Sequence, residues 1–485
     1  MRSAYVENGK KGMRFFKVVG IIFILLSILF LGYIISIDML PIKYLSILGG
    51  VIFLITLIIS LLIFKKKGSR FPNVIGIIFA CFLVVGYGFV YKYLYQAFDF
   101  IDTISDSSLN TEVEEFYVIV GADSTYEKIE DLKNEDIYTL EVTENIDKVE
   151  EKVNEKVNVN FKDIDNLDTL ATNLLNEKID IILISSSQYS IILEDNEEFK
   201  DETKIIYTIT QEIEKEAENV KDETSKHQIE NGIFNVYISG IDTSGNIRNV
   251  SRSDANIVVT VNTKTNEILL TSIPRDYYVT LHSKNAKDKL THSGIYGINE
   301  TVNTVEDLLG IDINYYVRVN FTTVVKLVDA IGGIDVNSDY AFNALGYSFK
   351  KGTNHLNGSK ALAFSRERHS FADGDVQRAK NQQKVINAII SKLTSSTTLL
   401  TQYSNILNSL SGNFQTNIEQ DDISILVKEQ LENMPSWNIS TNTLIGTGSY
   451  NVTYSCGNQK LYVMLPNSQS VEDAKEKINE VMNEK

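Results

Sequence analysis

Little in this sequence can cross-link, chelate or grip a nucleic acid. Cysteine occurs twice in 485 residues, as Cys81 inside an apolar run and Cys456 near the far end. Neither has a CxxC neighbour or a metal-ligand spacing, which argues against a disulfide framework, a zinc site or a dithiol redox centre. Positive charge is short as well: 46 Lys and Arg stand against 63 Asp and Glu, for a formal net charge of −17 and a sequence pI of about 4.9. A body of that sign lacks the basic face that displaces counterions from DNA or RNA, so no nucleic-acid partner is expected. The five histidines, His227, His282, His292, His355 and His369, show no triad spacing. Internal repeats and low-complexity tracts are absent.

What the chain has at its front is apolar length. Residues 15–37, 47–64 and 74–91 form three runs, each roughly 18 residues or more and so long enough to cross a hydrocarbon core about 30 Å thick as a helix. A secretory signal would show one shorter apolar core and a small-residue cleavage site. Three transmembrane helices are therefore expected across 15–97, after a tail at 1–14. Lys10, Lys11 and Arg14 precede the first run, Lys65, Lys66, Lys67 and Arg70 fill the second loop, and the first loop carries only Lys43. By the positive-inside rule the amino terminus is cytoplasmic, and an odd number of spans leaves the rest outside the cell membrane. That placement removes ATP and nicotinamide cofactors, so an enzyme there needs a substrate that carries its own activation.

Residues 98–111 are polar and acidic and read as a linker. From 113 to 210, strand-like runs at 116–120 and 179–184 alternate with helical patterns at 148–156 and 167–176, a small α/β unit. It holds no arginine, no histidine and no Gly-rich phosphate loop, and no chemistry is expected in it. An acidic linker or solvated helix follows at 211–231. Strands are then expected at 236–240, 255–261, 267–273 and 315–319, with helices at 300–309, 322–330 (ending at Gly332 and Gly333) and 375–393. This is α/β with helices on both faces of a sheet, spanning 232–395 and continuing through 396–485 to a last helix near 471–481.

Ten arginines are present. Three lie at the membrane, and the other seven, Arg248, Arg252, Arg275, Arg318, Arg366, Arg368 and Arg378, all lie between 248 and 378, while lysine serves the remainder. A guanidinium forks onto two phosphate oxygens at once and stays charged when partly desolvated, so the set points to an anion site. For any single member, a structural ion pair is the better reading. Carboxylates sit among them. Asp242 ends a buried strand, and Arg252 and Asp254 share a side of an extended segment. Two strand-end aspartates can share one Mg2+ while phosphate oxygens and water complete the octahedron. Pro274 stops a strand and sends Arg275 out at a sheet's edge. Arg366 and Arg368 share a side if extended, and Asp375, Arg378 and Gln382 share a helix face.

The stretches Tyr237-Ile-Ser-Gly-Ile-Asp242, Ser251-Arg-Ser-Asp254, Ser272-Ile-Pro-Arg-Asp276, Ile313-Asn-Tyr-Tyr-Val-Arg-Val-Asn-Phe321 and Leu327-Val-Asp-Ala-Ile-Gly-Gly-Ile-Asp335 occur in that order. Leu356-Asn-Gly358, Ala361-Leu-Ala-Phe-Ser-Arg-Glu-Arg368 and Gly374-Asp-Val-Gln-Arg378 follow, with Gln382 and Gln383 after them. Together they resemble the LytR-CpsA-Psr (LCP) family of cell-wall transferases. The resemblance implies an α/β/α LCP domain with a central mixed sheet over 232–395 and 396–485, behind a membrane anchor and, at 113–210, an accessory α/β domain. It implies a polyprenyl-pyrophosphate-linked glycopolymer, teichoic acid or capsule, as substrate, its lipid tail in an apolar tunnel. Residue by residue, Asp242 and Asp254 match the aspartates that hold Mg2+ (or Mn2+), and Arg252, Arg275, Arg366, Arg368, Arg378 and Gln382 match the pyrophosphate grip. Asp375 matches a carboxylate supporting that grip. Members often carry arginine where this chain has Asn381, and some where it has Val279.

The reaction so implied is phosphoryl transfer without a covalent enzyme intermediate: Asp242, Asp254, Arg275 and Asp375 serve the chemistry, and a peptidoglycan hydroxyl attacks while lipid phosphate leaves. Asp242 is the candidate base. Two alternatives use the same grip, a phosphatase acting on polyprenyl pyrophosphates and a membrane-bound regulator or attenuator that senses the lipid carrier.

Overall fold

A computed structural model describes residues 2–37, 40–65, 70–105, 112–213, 228–241, 247–372, 374–394, 402, 405–406 and 414–483. The chain divides into two units, residues 1–103 with 419–435, and residues 104–418 with 436–485.

In the first unit three helices, α1 (Arg2–Ile37), α2 (Ile42–Ile63) and α3 (Phe71–Ser105), include apolar spans of 24, 22 and 22 residues, each long enough to cross a membrane. They hold together through small, specific contacts. Phe23, Ile59, Ile63 and Ala80 form a cluster, Phe30 stacks on Tyr87 at 4.1 Å, and the Tyr87 hydroxyl donates to Ser27 Oγ at 3.2 Å. Asn73 Nδ2 donates to the Ile63 and Lys65 carbonyls at 2.7 and 3.1 Å, satisfying groups that the end of α2 leaves open and that a bilayer would not. α3 runs on to Ser105, through residues whose acidic content suggests a linker, because Phe98, Ile101 and Ile104 recur at helical spacing.

The second unit opens with a five-stranded sheet in the order β3-β2-β4-β1-β5, built from β1 (Glu112–Gly121), β2 (Asp136–Leu140), β3 (Asn160–Ile164), β4 (Ile181–Ser185) and β5 (Thr203–Ile213). β4 is buried along its whole length because alternate side chains enter two cores. Ile182 and Ile184 meet Leu167, Leu170 and Leu174, whereas Ile181 and Leu183 meet Val149 and Val153. The helices α4 (Ile146–Asn154), α5 (Leu167–Leu175) and α6 (Ser186–Asp195) supply those partners. Asn166 caps α5, and a Ser185–Gln188 capping box starts α6. β5 takes in Gln211 to Ile213, where the acidic linker is expected to begin. Of that linker, 214–227 lie outside the described residues.

Six further strands make a mixed sheet: β6 (Ile233–Ile241), β7 (Ser253–Asn262), β8 (Glu267–Ile273), β9 (Tyr315–Val319), β10 (Phe414–Thr416) and β11 (Asn438–Thr443), ordered β10-β9-β6-β7-β8-β11. β9 pairs parallel to β6, and β11 parallel to β8. The other three pairings are antiparallel. On one face Tyr237, Val258, Leu269 and Tyr316 pack with α7 (Ile298–Leu309) and the last helix, Ser468–Asn483. The other face meets α10 (Asp375–Thr394), on which α9 (Gly358–Arg366) packs, with α8 (Phe321–Ala330) packed on α9. Gly358 starts α9 against the Val325 carbonyl, where any side chain would overlap it. Asn381 is buried in α10 and tied to Gln377 at 3.0 Å, and Val279 is a core residue.

The two sheets are joined by shared backbone and shared core. The β1 residue Val113 exchanges hydrogen bonds with Arg248 and Val250 at 2.9 and 2.8 Å. Cys456 and Leu461 belong to the same core as Leu167 and Leu170. The carbonyl of Asp165 accepts from Asn458 N–H at 2.8 Å, beside Gly457 at φ +66°. Burial pushes the Cys456 thiol up to about 12, so it packs as an apolar side chain and is no nucleophile at neutral pH.

Candidate active site

Alternation along the sheet decides what reaches the site. On β9, Tyr316 and Arg318 point to one face, Val317 and Val319 to the other, where with Ile238 and Gly240 of β6 they line a cavity of about 760 Å³. α8 and α10 close it with Val324, Leu327, Val385, Ile386 and Ile389. Its depth is therefore aliphatic.

Polar side chains gather along the same cavity from four places in the chain. Arg252 precedes β7 and Asp254 is its second residue. Arg275 leaves the end of β8 after Pro274. Arg366 ends α9, with Arg368 beyond it, and Arg378 and Gln382 stand one turn apart on α10. All seven line the one cavity. Asp242 lies outside the described residues, and so does the side chain of Asp375, whose backbone opens α10. Arg318 goes elsewhere. It is fully buried on the opposite face, bonded to Glu112 at 3.0 Å and to the Asn249 carbonyl at 3.0 Å. Arg275 also differs from its expected place at a sheet's edge. β11, arriving from the far end of the chain, pairs outside β8, so Arg275 leaves the end of an inner strand.

Arg275 and Arg252 are 6% and 8% exposed, a setting in which an unpaired charge is costly, so their partners matter. Arg275 Nη1 meets Asp254 Oδ1 at 2.9 Å, and Thr291 Oγ1 donates to the same oxygen at 2.9 Å. Arg275 Nη2 donates to both oxygens of Glu194 at 2.8 and 2.7 Å, Arg252 pairs with the same carboxylate, and Arg368 approaches it at 3.8 Å. The Arg366 guanidinium lies 4.2 Å over the Phe321 ring. Burial opposes the charge of Asp254, but Arg275, Arg252 and Arg378 outweigh it and hold its pKa below the usual carboxylate range. Burial likewise opposes the Glu194 charge, and Arg275 and Arg252 overcome it and hold its pKa low.

Glu194 is the residue that sequence reasoning missed. It stands in the last turn of α6, in a domain with no arginine, histidine or phosphate loop, and its carboxylate is one of 63 acidic groups. Nothing local marks it out.

Among the described lining residues, five guanidinium groups face three carboxylates, Glu194, Asp254 and Glu367. The excess of two positive charges equals the charge of a diphosphate diester. Asp254 Oδ2 is buried and meets no hydrogen-bond donor among the described residues. An anionic oxygen in that condition fits a hard divalent cation. No cluster of three or more potential metal ligands occurs among the described residues, so phosphate oxygens and water would complete such a site.

The model of the LytR_cpsA_psr family matches residues 202–475. The chain is 36% identical over 228 residues to a polyisoprenyl-teichoic acid–peptidoglycan teichoic acid transferase, TagU, of Bacillus mycoides, covering 45% of this chain and 74% of that one. It is 38% identical over 202 residues to the Bacillus cereus protein of the same name, covering 41% and 66%. The crystal structure of B. subtilis TagU aligns with 33% identity over 52% of this chain and 98% of that one, at a TM-score of 0.41. The family match begins beyond α6, so Glu194 lies outside it.

Proposed function

Since the chain belongs to the LytR_cpsA_psr family, we propose that it is a membrane-anchored transferase that moves a teichoic acid or similar glycopolymer phosphate from a polyprenyl-pyrophosphate carrier onto peptidoglycan, outside the cell membrane. The observation that carries this reading is the continuity of one cavity: aliphatic in its depth, and lined at its polar end by five guanidinium groups and Asp254. The polyprenyl chain lies along Ile238, Val317, Leu327 and Ile386, and the diphosphate meets Arg252, Arg275, Arg366, Arg368, Arg378 and Gln382. Lys and Arg around the first three helices support a cytoplasmic amino terminus.

In the step itself, an acceptor hydroxyl attacks the phosphorus that bears the glycopolymer. A new phosphodiester bond forms, the P–O–P bond breaks, and the electron pair leaves with polyprenyl phosphate while the hydroxyl proton is released. The guanidinium groups spread the charge that develops on the bridging and leaving oxygens, and Arg252 and Arg275 among them are already largely buried. One side of the Arg275 guanidinium is already held by Asp254, whose Oδ1 also accepts from Thr291. Mg2+ or Mn2+, held by Asp254 with Asp242, would supply further neutralisation at the phosphate oxygens.

The test uses the full chain in detergent, with lipid-linked teichoic acid and peptidoglycan oligomers. Polymer joined covalently to the oligomers, with release of polyprenyl phosphate, is expected from the unmodified protein and not from Arg275→Ala or Asp254→Ala. Release without any joined product would make it a hydrolase. Normal transfer by Asp254→Ala would remove the metal from the mechanism.

A further inference from the structure

We propose that Glu194, a residue of the accessory domain, is a built-in competitor for the diphosphate seat, so that a lipid-linked substrate must take Arg252 and Arg275 away from it. This rests on the reading of the cavity as a diphosphate site and adds a determinant of its affinity.

The geometry is that of an internal ligand. A carboxylate that accepts from Arg275 through both oxygens, at 2.8 and 2.7 Å, while pairing with Arg252 presents those two guanidinium groups with the oxygen pattern of a phosphate. The position is built. α6 is anchored at its start by the Ser185–Gln188 capping box, its Ile191 and Ile192 enter the core that also holds Cys456 and Leu461, and Ser190 and Leu193 line the cavity beside Glu194. The placement of the acid is unfavourable in itself. Glu194 and Asp195 are the last two residues of α6, where the helix dipole repels negative charge, so the guanidinium groups and not the helix hold it there.

Release needs no undocking. The Glu194 side chain is 25% exposed, so it can rotate into water while α6 stays in place. Its departure raises the excess of positive charge along the cavity from two to three, which favours an entering diphosphate. The accessory domain thereby sets how tightly the arginines hold any phosphate. Weak anions stay out, and a substrate with a diphosphate and a polyprenyl tail gains enough to displace the carboxylate.

The experiment titrates inorganic pyrophosphate, then farnesyl diphosphate, into the full chain in detergent and follows the heat of binding. The proteins are the unmodified chain, Glu194→Gln, Glu194→Asp and Arg275→Ala. Glu194→Gln keeps the shape and removes the charge, and should bind pyrophosphate about tenfold more tightly, the fold-change expected for losing one charge-assisted competitor. Glu194→Asp, whose shorter side chain draws the carboxylate back, should fall between, and keeps the test available if the amide destabilises the fold. Unchanged or weaker binding by both Glu194 variants, with Arg275→Ala still defective, overturns the competitor and leaves the diphosphate site standing. Binding indifferent to Arg275→Ala, or absent from every protein, overturns the site and the competitor together.

Discussion

A buried glutamate beside Ser185, the residue that caps α6, makes the stability of this chain dependent on pH. Glu114 lies on β1, two residues from Glu112 on the same face, and is 3% exposed. Burial raises its pKa from 4.5 to about 8, against the hydrogen bond from Ser185, with the charges of Glu144 and Glu112 adding to the rise. The folded form therefore keeps its proton where the unfolded chain has lost it. The stability this contributes is complete below about pH 4.5 and is lost as pH rises to about 8. The rise from 4.5 to about 8, at about 1.36 kcal/mol per pH unit, corresponds to about 5 kcal/mol across that window. Glu114→Gln replaces the neutral acid with a neutral amide of the same shape and should remove the slope. Urea unfolding of the full chain in detergent, with amide exchange in β1 and β5 as the local reporter, measures both proteins from pH 4 to pH 9. At pH 4 they should coincide, and at pH 9 the amide should protect β1 by several kcal/mol more. Equal slopes for both proteins, or a less stable amide at pH 9, would refute the reasoning.

Other perturbations separate the parts of the molecule. Arg318→Met leaves Glu112 buried without its partner and should cost about 3–5 kcal/mol in denaturant unfolding. Adding Glu112→Gln should recover part of that cost, and simple additivity of the two would show that they do not interact. Ile386→Trp fills the aliphatic end of the cavity and should weaken binding of long polyprenyl diphosphates at least tenfold, a loss of about 1.4 kcal/mol, while inorganic pyrophosphate binds as before. Equal losses for both ligands would place the tail elsewhere. Gly457→Ala meets two obstacles, a φ of +66° and overlap with the Asp165 carbonyl, and should speed amide exchange in α5 and α6. Unaltered exchange would show that this contact does not hold the accessory domain.

Most of the α/β alternation, the three long apolar helices and the arginine cluster were legible because each rests on a periodic or compositional signal within a short window. Arg252, Arg275, Arg366, Arg368 and Arg378 stood out against a lysine-rich background, and one cavity collects them. Arg318 looked the same in the sequence, and only the parity of β9 sends it to the other face. What stayed hidden depends on contacts between distant segments. β11 pairs with β8 across more than 160 residues, so the inner position of that strand had no local cue. Glu194 was invisible for the same reason: its role comes from where α6 docks, and an acidic residue in an acidic chain carries no mark. α3 is longer than the acidic residues at its end suggest, because an apolar spacing continues through Ile104.

The core that unites Cys456 and Leu461 with Leu167 and Leu170 limits how this protein can be cut. A fragment starting at residue 232 would uncover that apolar surface and strand Arg318 without Glu112, although it would keep every arginine of the cavity. Trimming to the family-matched segment, 202–475, would likewise remove part of the hydrophobic interior together with Glu112 and Glu194. Any soluble version has to retain both sheets.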